Sequence, residues 1–144
     1  MSWGEEWAPE APAPLVDLDA LLRHVAEGGG SDLHLTVGAP PTVRVRGEMT
    51  PVPGTATLTA EDLREALYAV MTERQRQVLE ETRELDFAYA VPGLARFRVN
   101  VFWQREAVGA VMRLIPWRIT PLEDLGMPPV VETFGHLKRG LVLV

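Results

Sequence analysis

Arg96, Arg98 and Arg113 fall within one stretch, LARFRVNVFWQREAVGAVMRLIP (Leu94–Pro116), whose other residues read as buried β-structure. A guanidinium presents a planar fork of N–H donors that grips a phosphate or a carboxylate through two parallel hydrogen bonds. Arginines gathered on a rigid surface are therefore an anion receiver, and spacing decides whether these are gathered. Phe97, Val99, Val101 and Trp103 alternate along one strand, and Val108, Ala110, Met112 and Leu114 along the next. Bringing both apolar sets to one side requires a hairpin that pairs 99 with 112 and 97 with 114, with Gln104 to Ala107 as a four-residue loop. That register sets Arg98 directly opposite Arg113, with Arg96 two residues along on the same face. Like charges directly opposite destabilise a strand pair, and the hairpin offers only Glu106, in its turn, to offset them. Two readings stay open: an anion site, or an ion-pair network completed by Asp86, Glu84 or Glu123 from neighbouring segments.

Other chemistry-bearing residues are less organised. His24, His34 and His136 are scattered, without H-x-x-x-H spacing. Asp32 and His34 share one strand face and could ligate a metal, but a solvated or hydrogen-bonded strand face is the commoner use of such a pair. Glu80, Glu81, Glu84 and Asp86 are dispersed over a helix and turns, with nothing to mark a catalytic carboxylate pair. No G-x-S-x-G and no G-x-x-x-x-G-K-[ST] occurs, so the 144 residues hold no complete catalytic constellation.

The elements that must position the arginines follow from periodicity. Leu15, Leu18, Leu21, Leu22 and Val25 recur at helical spacing, with Asp17 as a cap and Gly28–Gly30 as a stop. DLHLTV alternates with Leu33, Leu35 and Val37 inward, and TVRVR repeats the pattern with Val43 and Val45 inward. Thr59 with Asp62, and Thr72 with Gln75, resemble capping boxes that open two helices, the second largely exposed. LDFAYAV and the two arginine strands follow; then come two short helical pieces broken by Gly126 and Pro128–Pro129, and an apolar run, GLVLV, that reads as a buried strand. Clustered strands joined by hairpins predict an α+β fold with an antiparallel sheet flanked by helices. The divisions are an Ala/Pro/Glu-rich tail over 1–14, expected to be disordered and carrying Trp3 and Trp7, a folded unit over 15–118, and a linker with short helices and a strand over 119–144.

Composition narrows the function classes. Lys and Arg number 14 against 20 Asp and Glu, a net charge of −6, which argues against a general nucleic-acid or anionic-membrane surface without excluding a small cationic pocket. The absence of cysteine removes disulfides, thiol catalysis and Cys-ligated zinc. No apolar run approaches a membrane span and the acidic N-terminus is unlike a signal peptide, so a soluble cytoplasmic protein is expected.

Five motifs occur in order: SDLHLTVGAPPTVRVRGEM, ARFRVNVF, AVMRLIP, LEDLGMPPVV and RGLVLV. Together they resemble the N-terminal region of the type IV pilus retraction ATPases, the PilT-like members of the secretion ATPase superfamily, over roughly residues 15–144. The resemblance implies a PAS-like domain joined by a linker to a RecA-like ATPase domain, working in a homohexameric ring against the inner-membrane platform protein of the pilus. RGLVLV would be the strand that enters the Walker A loop, so the chain would be an N-terminal domain without its motor and inactive alone. ATP with Mg²⁺ would bind only in the complete motor. On the same resemblance Arg96 and Arg98 of ARFRVN and Arg113 of VMR would reach the nucleotide phosphates, in the manner of an arginine finger. The alternative is a free-standing PAS-like module that docks onto a partner.

Overall fold

The computed structural model describes residues 16–143; the tail with Trp3 and Trp7 lies outside them. Asp17 caps α1 (Leu18–Glu27) by accepting a hydrogen bond from the Ala20 N–H at 3.0 Å. The stripe Leu18, Leu21, Leu22 and Val25 is buried. Three strands follow, β1 (Gly30–Leu35), β2 (Thr42–Val45) and β3 (Glu48–Pro51). β1 ends at Leu35, two residues short of Val37, which is exposed. α2 (Ala60–Ala69) and α3 (Glu73–Thr82) come next. At α3 the capping box closes in both directions between Thr72 and Gln75. At α2 the Thr59 hydroxyl accepts from the Asp62 N–H, but it donates to the Asp62 carboxylate, so the reciprocal bond to backbone is absent and the box is half made.

The last strands are β4 (Glu84–Val91), β5 (Ala95–Gln104) and β6 (Ala107–Ile115). Together the six strands make one antiparallel sheet in the order β3-β2-β1-β6-β5-β4. This is the α+β architecture expected from the clustered hairpins. Its decisive feature is the central pairing of β1 with β6, two strands far apart in sequence.

One face of the sheet is the core. Leu33, Leu35, Phe97, Val99, Val101 and Met112 are fully buried there, against Leu22 and Val25 of α1, Leu63 and Leu67 of α2 and Leu79 of α3. At about 25 cal/mol per Å² of apolar area, each such side chain contributes roughly 1.5–3 kcal/mol. Gly109 shows how tightly β6 is seated. A Cβ there would lie 3.1 Å from the Phe102 ring and 3.3 Å from the Leu35 carbonyl oxygen.

Beyond β6 the chain has few ties to the sheet; one is the Trp117 Nε1–H, which donates to the Leu94 carbonyl at 3.2 Å. Of the two expected short helical pieces, residues 122–126 form turns and only α4 (Val130–Phe134) is helical. The apolar run expected as a strand belongs to no strand over Leu141–Leu143, and Leu141 and Leu143 are exposed. A strand needs a neighbouring edge, and among the described residues none lies alongside it. No helix of the described residues is long and apolar enough to cross a membrane.

Candidate functional site

Strand alternation puts the polar side chains of β1, β2, β4, β5 and β6 on the sheet face that turns away from the core. The β5–β6 register is the one the apolar faces require: Val99 pairs with Met112, Phe97 with Leu114, and Arg98 stands opposite Arg113. Arg96, opposite Ile115, follows on the same face, so the three arginines are gathered as expected. The loop is shorter than expected. Gln104 pairs with Ala107, leaving only Arg105 and Glu106 to turn the chain, both at left-handed φ (49° and 63°).

Of the two readings left open, the ion-pair network is met in part, because the flanking strands deliver carboxylates. On one side β4 brings Asp86. The Arg98 Nε donates to Asp86 Oδ1 at 3.1 Å and Oδ2 at 3.2 Å, and its Nη2 to Oδ2 at 2.7 Å. On the other side β1 brings Asp32 opposite Arg113, whose Nε donates to Oδ1 at 2.8 Å. Asp32 also accepts from the Ser31 hydroxyl at 2.7 Å and lies 3.8 Å from the Arg44 Nε of β2. The sequence reading named Asp86 among the possible partners but missed Asp32 and Arg44. Of the other two acids it named, Glu84 accepts from Asn100 at 3.0 Å, and Glu123 forms no ion pair among the described residues. Arg96 has no carboxylate partner among them either.

The two ion pairs differ in setting. Asp32 is the one buried charged residue among those described, with its side chain 6% exposed, whereas the Asp86 side chain is 43% exposed. Burial pushes the Asp32 carboxyl up, but the hydrogen bonds from Ser31 and Arg113 outweigh it and hold the group below its ordinary value. Asp86 is held low chiefly by its hydrogen bonds to Arg98. His34, on the same face as Asp32, is pushed down by burial and then by the charge of Arg44, and its Nε2 has no hydrogen-bond partner. The metal option for Asp32 and His34 gives way to arginine pairing. Among the described residues no group of three or more His, Cys, Asp or Glu is placed to hold a metal. Between the paired arginines lies an open depression of about 380 Å³, lined by Glu84, Asp86, Arg98, Asn100, Val111 and Arg113. Its lining sets two guanidinium groups against two carboxylates, Glu84 and Asp86, with Asn100 and Val111 between them.

No protein-family model matches the chain. Two relatives from Pseudomonas aeruginosa, the type IV pilus retraction ATPase PilT and the type IV pilus ATPase PilU, are each 42% identical to it, over 90% and 89% of its length. A twitching motility protein of Neisseria gonorrhoeae is 35% identical over 72% of it. The chain spans 37% of the PilT relative, 33% of PilU and 28% of the Neisseria protein. Among solved structures, the pilus retraction motor PilT with bound ADP matches at a TM-score of 0.73 and 36% identity, covering 85% of this chain and 36% of that one. The Legionella pneumophila ATPase DotB shares the fold at a TM-score of 0.62 and 20% identity, covering 86% of this chain and 35% of that one. A six-stranded antiparallel sheet flanked by helices, and a sequence match along most of its length, make this chain a homologue of the PilT/PilU type IV pilus ATPases with the fold of the PilT N-terminal domain.

Proposed function

We propose that the chain is the N-terminal, PAS-like regulatory and nucleotide-sensing domain of a hexameric type IV pilus retraction ATPase. Arg96, Arg98 and Arg113 supply positive charge to ATP held with Mg²⁺ by a RecA-like ATPase domain of the same or a neighbouring subunit. Domain motion then couples hydrolysis to work at the inner-membrane platform, on the cytoplasmic side, with residues 119–144 as the linker and first strand toward that domain. The observation that carries this reading is the arginine face itself. Arg98 stands opposite Arg113 on the sheet, beside an open depression, and among the described residues α1, α2 and α3 make their main sheet contacts with β1, β6 and β4 rather than with β5. Likeness to PilT relatives supports the choice of phosphate over other anions.

The test is a chimera in which this chain replaces the matching segment of the P. aeruginosa PilT relative. Alanine at an arginine that stabilises the transferring phosphoryl group should cut turnover on the order of 10³-fold, with assembly unchanged. Three single alanine variants that all turn over at the parent rate would remove the nucleotide role and leave a protein-binding module.

A further inference from the structure

We propose that Asp86 is a built-in stand-in for phosphate: its carboxylate fills the side-on fork of Arg98, and a phosphoanhydride takes that fork by displacing it, while Asp32 keeps Arg113 throughout. This rests on reading the arginine face as a phosphate site and adds how access to that site is controlled.

Three observations separate the two arginines. The first is which donors are used. Arg98 commits Nε and Nη2, the edge that presents two parallel N–H groups, to both oxygens of Asp86. A phosphate wanting that edge must compete for it. Arg113 commits only its Nε to Asp32, so both of its terminal nitrogens stay available with the pair intact. The second is exposure. Asp86 is 43% and Arg98 68% exposed, so water can take over both groups when they part. Asp32, 6% exposed and held by Ser31 as well as Arg113, would be left as a buried charge short of partners. The third is space. Ala88 and Ala90 of edge strand β4 stand opposite Arg98 and Arg96, so no bulky side chain of β4 covers those arginines or blocks the swing of a displaced carboxylate. Glu84 is kept from following by its bond from Asn100.

The experiment uses the 144-residue chain and inorganic pyrophosphate at constant ionic strength, read by the NMR signals of the arginine Nε–H groups and by calorimetry. Pyrophosphate should move the Arg98 Nε–H signal and leave that of Arg113 on Asp32. Asp86→Asn should tighten pyrophosphate binding roughly two- to five-fold, the range an exposed ion pair is worth. Adding Arg98→Ala to Asp86→Asn should erase the gain. A melting curve verifies that each variant folds. The proposal is overturned if Asp86→Asn binds no tighter, or if pyrophosphate does not bind. An Arg98 Nε–H signal unmoved at saturation overturns it too, since phosphate is then taken end-on with Asp86 still in place. Failure here leaves the turnover test of the chimera untouched. Parent-rate turnover in the chimera, with displacement observed here, would instead remove the nucleotide role alone.

Discussion

Asp32 and Asp86 are chemically the same residue in unequal settings, and their variants should show it. Asp32→Asn replaces a buried carboxylate that serves Ser31 and Arg113, and should cost about 1–2 kcal/mol in a denaturant melt. Asp86→Asn removes one partner of an exposed pair and should scarcely move the same melt. The sign of the pH dependence follows from the lowered carboxyl value. The unfolded Asp32 titrates near 3.8 and the folded group lower, so its stabilisation is complete above 3.8 and is lost as the pH falls through the folded value. His34 adds to acid sensitivity from a higher starting point. Burial and the charges of Arg44 and Arg113 hold it below 6.5, against the opposing pull of Asp32. The unfolded chain therefore takes up the proton first, and stability declines as the pH drops below 6.5. An NMR titration should find the His34 imidazole protonating below 6.5, and Arg44→Gln should raise that value.

Two hairpin turns in the sheet have the same backbone shape and different sequences. Arg46 and Gly47 turn β2 into β3 at φ of 49° and 87°, with glycine where the left-handed conformation costs least. Arg105 and Glu106 turn β5 into β6 at 49° and 63° with no glycine. Glu106→Gly should therefore stabilise the protein by up to about 1 kcal/mol in thermal or denaturant melts, net of the entropy glycine adds to the unfolded chain. β3 itself escaped the sequence reading. Its residues, Glu48–Pro51, are all exposed and lack apolar alternation, so only the Arg46–Gly47 turn could have announced it. The capping box at Thr72 was legible because both of its bonds are local. Thr72→Ala should cost about 1 kcal/mol and loosen α3 in hydrogen exchange.

On the scale of the whole molecule, among the described residues helices α1, α2 and α3 pack on the apolar side of the sheet, and the other side carries the charged residues. The segment after β6 is a third region, with Trp117, Ile119, Leu125, Leu141 and Leu143 exposed. Apolar surface of this kind favours association. Light scattering at rising concentration should show self-association that weakens on deletion of residues 140–144. A strictly monomeric protein at high concentration would count against it.

What the sequence determined by itself was everything fixed by local periodicity. That includes the apolar faces of β5 and β6, hence the register that sets Arg98 against Arg113, and the caps and buried stripe of the helices. In a hairpin the partner strand is adjacent in the chain, so matching two patterns suffices. What only the tertiary structure decided was who neutralises those arginines. Asp32 reaches Arg113 through the pairing of β1 with β6, a separation of 81 residues. Asp86 reaches Arg98 only because β4 pairs in a register that sets it two residues along on the same face, opposite Asn100. Neither contact leaves a local trace, because a carboxylate on a strand face has the same pattern whether it meets water or a guanidinium.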